Sequence, residues 1–220
     1  MPVFKKKNED FFKKWSPEMA YVLGFFAADG SMFVNPRGSH YIGFYSADRN
    51  ILKEVKAAMS LEHRIGTRKI RERARKRAYV LQIGSKTIFR DLQKLGFNPN
   101  KSKNIRMPTI PPQYISDFVR GYFDGDGNVA VCKYRRKDRG NRKARTMLSG
   151  FTSGSKLFLL GLRQYLQKHG GLGSGTLYFS SNAHRLYFSV NDSKRLYSLM
   201  YGNLSNQLFL PRKKERFESF

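Results

Sequence analysis

From Ala20 to Ala28 the chain reads AYVLGFFAA, nine residues with no charge and no apolar–polar alternation. A helix that is apolar all round has to be buried on more than one side. Its ends are signalled: Ser16 suits an N-cap, Pro17 the first helical position and Gly30 the stop. A second segment repeats this pattern, with Pro111 and Pro112 at its start and Gly127 at its end. Elsewhere the periodicity changes. Tyr41–Ser46, Met147–Thr152, Tyr79–Ile83 and Leu186–Val190 read as strands. Asp48–Met59, Ser155–Lys168, Ser85–Leu95 and Asp192–Tyr201 have helical spacing.

These elements form an internal repeat. PEMAYVLGFFAADGSM aligns with PPQYISDFVRGYFDGDGNV, which pairs Gly24 with Gly121, Phe26 with Phe123, and Asp29 with Asp126 at an offset of 97 residues. GFYSADRNILKEVKAAM from Gly43 aligns with GFTSGSKLFLLGLRQYL from Gly150, so the second copy carries extra residues, which fall in the run Lys133 to Arg145. YVLQIGSKTIFRDL then matches RLYFSVNDSKRLYSL, and FNPNKSK can be laid on FLPRKKE. The fold class expected is α+β: two pseudo-symmetric halves, each helix–strand–strand–helix–strand–strand–helix (αββαββα), packed through the two repeated helices. The Pro-rich connector Arg106 to Pro112 separates them, giving halves of 1–107, with a short basic N-terminal extension, and 108–220. Gly24 and Gly121 are the expected contact points, since a residue without a side chain lets two helix backbones approach closely.

Charge narrows the partner. Lys plus Arg number 42 against 16 Asp plus Glu, a formal net charge of +26, and such a field attracts polyanions. Hydrophobic content of 40% argues against wholesale disorder. No basic amphipathic helix, signal-peptide core or membrane-length apolar run is evident, so an intracellular protein that does not bind membranes is expected. One cysteine, Cys132, excludes a disulfide framework. Against this background Asp29 and Asp126 stand out. A carboxylate at a helix C-terminus is disfavoured by about 0.3–1 kcal/mol. Two of them at paired helix ends suggest a bound cation, with backbone carbonyls such as those of Ala28 and Gly125 completing a hard oxygen donor set suited to Mg²⁺. Asp124 aligns with Ala27, cannot belong to a symmetric site, and reads as a cap or packing residue. Arg120 has no evident reason in the sequence.

VLGFFAADG and VRGYFDGDG resemble the two signature motifs of the LAGLIDADG homing endonucleases, and the order of strands and helices matches over nearly the whole chain. The resemblance implies that the motif helices form the central interface and that Asp29 and Asp126 bind the catalytic metals, Mg²⁺ with Mn²⁺ as a substitute. Two motifs in one chain imply a pseudo-symmetric monomer that makes a double-strand break in duplex DNA with short 3′ overhangs. It also implies basic residues beside the metals. Lys101 and Lys213 match best, with Lys103 and Lys214 as close rivals and a surface phosphate contact as the alternative for any of them.

The sheets should present basic and polar residues to the major groove, which admits a two-stranded ribbon. The candidates are Asn35, Arg37, Tyr41, Tyr45, Arg68, Arg71, Arg73, Arg75 and Arg77 in the first half. In the second they are Lys133, Arg135, Lys137, Arg139, Arg142, Arg145, Tyr178, Ser180 and Asn182. The extra residues between Lys133 and Arg145 make a long, asymmetric target the expectation. The four histidines are scattered, and Glu54-Val55-Lys56 lies on an amphipathic helix, so other nuclease chemistries fit poorly. The alternatives share the fold: an RNA maturase acting on intron RNA, or a DNA-binding relative that no longer cuts.

Overall fold

The structure, a computed structural model, describes residues 5–68, 78–99, 103–136 and 140–220. The first half runs α1 (Pro17–Asp29), β1 (Gly30–Val34), β2 (His40–Ser46), α2 (Arg49–Ala58), β3 (Ile65–Arg68), β4 (Ala78–Gly84) and α3 (Lys86–Lys94). The second runs α4 (Ile115–Asp126), β5 (Gly127–Arg136), β6 (Arg142–Ser153), α5 (Lys156–Gly170), β7 (Thr176–Ser180), β8 (Ala183–Phe188), α6 (Val190–Tyr201) and α7 (Pro211–Glu218). Each half holds a four-stranded antiparallel sheet of the same topology, β1-β2-β4-β3 and β5-β6-β8-β7. No described helix is long and apolar enough to cross a membrane.

The α+β reading with two like halves therefore holds, with three differences. The Pro111–Pro112 start expected for the second repeated helix is a 3-10 turn over Pro112–Tyr114, and α4 begins at Ile115. The strand expected over Leu186–Val190 stops at Phe188, and Val190 already begins α6 after Ser189. The second half also carries an eighth element, α7, built from the segment that had been laid on FNPNKSK.

The local signals act as anticipated. Ser16 accepts a hydrogen bond from the Met19 N–H, Pro17 opens α1, and the Gly30 N–H donates to the Phe26 carbonyl to close it. Residues 19–27 of α1 are all buried, because one side of the helix faces its own sheet and another faces α4. The α1–α4 crossing depends on two glycines. A Cβ on Gly24 would lie 2.1 Å from the Phe118 carbonyl oxygen, and one on Gly121 would lie 2.0 Å from that of Tyr21. Gly24 also abuts Tyr122, as Gly121 abuts Phe25. Each contact is the other shifted by the repeat offset, so the crossing is self-complementary in the manner of a two-fold interface.

The side of each sheet that faces the helices is apolar: Met32, Ile42, Phe44, Leu81 and Ile83 in one, Met147, Phe151, Leu186 and Phe188 in the other. The opposite side of each sheet is open. The connector ahead of α4 packs on α5, where Ser155 Oγ donates to the Ile105 carbonyl (2.7 Å) and the Ile110 N–H donates to the Tyr165 hydroxyl (3.3 Å).

Candidate metal and DNA-binding site

The two signature aspartates are the last residues of α1 and α4. Because the helices cross at their glycines, these ends come together. A Cβ on Gly125 would sit 2.3 Å from the Ala28 Cβ and 3.2 Å from Asp29 Oδ2, so the Asp29 carboxylate rests against the last turn of α4. Burial first, then the negative charges of Asp126 and Asp29, push the Tyr122 phenol well above its ordinary range, and its hydroxyl donates to the Thr152 carbonyl (2.8 Å).

Lys213 completes this corner. Only 7% exposed, it reaches up from the first turn of α7. Its ammonium donates to the carbonyls of Phe123, Asp124 (2.8 Å), Gly125 (3.3 Å) and Gly127 (2.8 Å). These include carbonyls that a helix end leaves without partners, and the charge offsets the negative end of the helix dipole. Burial lowers the lysine to about 8, with Asp124, Asp29 and Asp126 acting in the opposite direction. It therefore stays protonated at neutral pH. It is a buried cap on α4 rather than an exposed phosphate contact, and it lies within reach of the charges of Asp29 and Asp126.

The adjoining polar residues explain how α7 is held there. Asp124 Oδ2 accepts from the Tyr21 hydroxyl (2.7 Å) and from the Leu210 N–H (2.9 Å), which tethers the residue preceding α7. Burial raises the Asp124 carboxyl to about 6 against these stabilising bonds. Arg120, fully buried, donates to the carbonyls of Leu208 (2.9 Å) and Met200 (3.0 Å) and to the side chains of Asp117 (2.6 Å) and Asn206 (3.0 Å). It pins the 202–210 loop to α4, which is the reason for an arginine in this otherwise apolar helix.

The oxygen donors fit a hard divalent cation: the Asp29 and Asp126 carboxylates with the carbonyls of Ala28 and Gly125. Among the described residues no group of three Asp, Glu, His or Cys could hold a metal, so water and substrate phosphate would have to fill the remaining positions. The Gly125 carbonyl already accepts from Lys213, in the longest of its four bonds, and keeps a lone pair for a second partner.

The predicted DNA-contacting residues divide by strand phase. Residues directly opposite in an antiparallel pair share a face. Tyr41, Tyr45, Tyr178 and Ser180 lie on the open sides, and Arg142 does too, across from Arg136. Lys133 and Arg135 pair with Arg145 and Lys143 in the phase of Val131 and Met147, the helix side of the hairpin. Arg145 is held there, with its guanidinium donating to the Ser219 carbonyl and lying 5.4 Å from the Phe220 ring centroid. Asn35 is committed to the β1–β2 turn, its Oδ1 accepting from the N–H groups of Arg37 (3.1 Å) and Ser39 (2.8 Å). Arg37 is exposed in that turn. Asn182, at φ 58°, occupies the two-residue β7–β8 turn. Arg68 ends β3. Lys101, Arg71, Arg73, Arg75, Arg77, Lys137 and Arg139 lie outside the described residues. The sequence reading missed Arg136, Arg185 and Tyr187, which share the open side of the second sheet. Counting outward from buried Phe151 and Leu186, rather than along the charges, would have found them.

Residues 16–96 match a family model described as a LAGLIDADG-like domain. The I-LtrWI LAGLIDADG homing endonuclease, solved bound to target DNA, superposes over 96% of this chain and 88% of its own at a TM-score of 0.61 and 12% identity. This chain has the LAGLIDADG homing endonuclease fold. The LAGLIDADG meganuclease I-AabMI, bound to uncleaved DNA, matches 93% of this chain and 88% of its own (TM-score 0.62, 10% identity). Mesophilic variants of the homing endonuclease I-DmoI match 97% and 100% (TM-score 0.57, 14% identity). An uncharacterized protein of Methanocaldococcus jannaschii is 25% identical over 123 residues, 54% of this chain and 41% of that protein. The chain thus matches about two fifths of that relative's length. Identities this low establish the fold, and the LAGLIDADG-like domain covers the first motif, with Asp29 at its end.

Proposed function

We propose that this protein is a site-specific DNA endonuclease that, as a monomer, makes a metal-dependent double-strand break in a long, asymmetric target. The observation that carries the reading is the meeting of Asp29 and the last turn of α4 at one end of the α1–α4 crossing. Two carboxylates set on the negative ends of two helices, in a chain of net charge +26, make sense around cations and phosphates. DNA-bound structures among the similar folds support duplex DNA as the substrate.

Asp29 and Asp126, with the Ala28 and Gly125 carbonyls, would hold Mg²⁺ or Mn²⁺. Such ions, when bound, activate water and stabilise the leaving oxygen in phosphodiester hydrolysis. The chain's own residues supply the rest. The glycine crossing fixes the spacing of the two aspartates, one for each strand. Lys213 holds the end of α4, and so Asp126, in position. The open sheets place the duplex over the aspartates through phosphate and base-edge contacts.

Cleavage of a randomised duplex library with Mg²⁺ tests the reading, with the products sequenced. Breaks at one long site, lost in Asp29→Asn and in Asp126→Asn while DNA binding persists, are the expected result. Tight DNA binding without breaks would overturn the nuclease assignment and leave a DNA-binding protein. Normal cutting by both variants would remove the aspartates from the mechanism.

A further inference from the structure

The open side of the β5–β6 ribbon changes character in steps with distance from Asp126. Its cross-strand pairs are Asn128–Gly150, then Ala130–Leu148, Cys132–Thr146 and Tyr134–Ala144, and finally Arg136–Arg142. The middle of this series is apolar and uncovered: Leu148 is 43% exposed and Tyr134 47%. Isolated exposed apolar residues need no explanation, but a contiguous apolar patch marks a binding surface. Arg136 and Arg142 bound this patch at the hairpin tip, and Arg185 of β8 lies on the same side of the sheet at the other end, opposite Thr152. That charge selects a polyanion as the occupant. The width of a two-stranded ribbon selects the major groove of duplex DNA.

The major groove offers one apolar group to such a surface, the C5-methyl of thymine. We infer that Leu148 and Ala130, with Cys132 and Thr146 beside them, are specificity-determining residues that read thymine methyls in the second half of the target. The inference rests on the DNA-binding reading above and extends it to base preference. Position along the strand gives the place. At about 3.3 Å per residue against 3.4 Å per base pair, Ala130 and Leu148 face the base pair about four from the phosphate at Asp126. Cys132 and Thr146 face one about six away. Arg136 and Arg142, about ten away, are placed for guanine, the usual base partner of arginine.

The test uses duplexes that the protein itself retains from a randomised library, remade with deoxyuridine replacing thymidine at one position at a time. This swap removes a methyl group and leaves base pairing unchanged. Affinity should fall about fourfold, the worth of one buried methyl, at one or two positions about four to six pairs from the cut. The swap about four pairs from the cut should lose its effect in Leu148→Ala, a change at an exposed position that leaves the core intact, while any effect about six pairs away, opposite Cys132 and Thr146, should persist. In Arg142→Ala the uracil effect should persist. Site-specific binding indifferent to every thymine-to-uracil swap overturns the inference, and so does a loss about four pairs from the cut that is undiminished in Leu148→Ala. Sequence-specific binding without cleavage, with the uracil effect present, overturns the nuclease reading and upholds this one. Absence of any selected sequence overturns both.

Discussion

Ala20, Leu23 and Ala27 lie along one stripe of α1, spaced three and four residues apart, and the matching positions of α4 are Asp117, Arg120 and Asp124. All six are buried. The faces that the two helices turn to each other are equivalent down to the contacts of Gly24 and Gly121. The stripes beside those faces are opposites, one apolar and one ionic, and the ionic one still touches α1 through the Tyr21 hydroxyl on Asp124. The ionic stripe is engaged in holding the chain that follows α6. Asp117 Oδ1 accepts from Arg120, Ser205 Oγ (2.7 Å) and Asn206 Nδ2 (3.0 Å), Arg120 holds two main-chain carbonyls, and Asp124 holds Leu210. The result is a docked α7 whose lysine caps the helix carrying Asp126. Conserving one helix face keeps the halves paired, and changing the other lets a single half acquire an extra support for its site.

Removing one member of the buried pair should sharpen this contrast most. Arg120→Ala leaves the Asp117 charge buried without its partner, a loss of about 3–5 kcal/mol, measured by urea denaturation. Asp117→Ala combined with Arg120→Leu, which makes α4 resemble α1 at these positions, should recover most of that loss, because two well-packed apolar residues replace the pair. If Arg120→Ala costs no more than a surface substitution, the ionic stripe does not hold the loop.

Lys213→Met should cost less, about 1–3 kcal/mol, since it deprives the carbonyls at the end of α4 of a buried donor. Its functional effect should be one-sided. With α4 loosened beside Asp126 and α1 untouched, the strand served by Asp126 should be cut more slowly than the other, and nicked duplex should accumulate. Equal slowing of both strands would mean that Lys213 supports the two aspartates alike and that the asymmetry of α7 does not reach the chemistry.

What could be read from the sequence follows the range of the interactions involved. The motif helices, their caps and their glycines are local signals, and the repeat displayed them twice. The phase of β5 and β6 was obscured because charges fall on both parities, at Lys133 and Arg135 on one side and Arg136 and Arg142 on the other. Only the apolar partners Val131, Met147 and Phe151 determine it. Helix α7 was obscured because PRKKERFE is mostly polar and one of its two buried residues is a lysine, Lys213, paired with Phe217 one turn on. An apolar residue at position 213 would have completed a recognisable stripe. Arg120 looked unexplained because its long-range partners lie 80 to 88 residues downstream, at the end of α6 and in the loop that follows, which has no periodicity.

The gentlest probe of the contrast is pH, at the pair Asp124 and Ala27. Burial raises the Asp124 carboxyl from 3.8 to about 6, against the hydrogen bonds from Tyr21 and Leu210 and the charges of Lys213 and Arg120. Between those two values the folded protein keeps a proton that the unfolded chain releases. This group's contribution therefore makes the native state lose stability as pH rises from about 4 to about 6, and the loss is complete above that. The sign is the reverse of that for a carboxylate whose pKa is lowered by folding. Asp124→Asn keeps a side-chain oxygen for Tyr21 and Leu210 but cannot ionise. Its stability relative to the parent protein should rise by about 1–3 kcal/mol between pH 4 and pH 7, read from urea midpoints at each pH. Ala27 in the first half contributes no such term. Parallel curves for the two proteins would show that Tyr21, Leu210 and Lys213 fully offset the burial of the charge, and that the ionic stripe of α4 carries no electrostatic penalty at neutral pH.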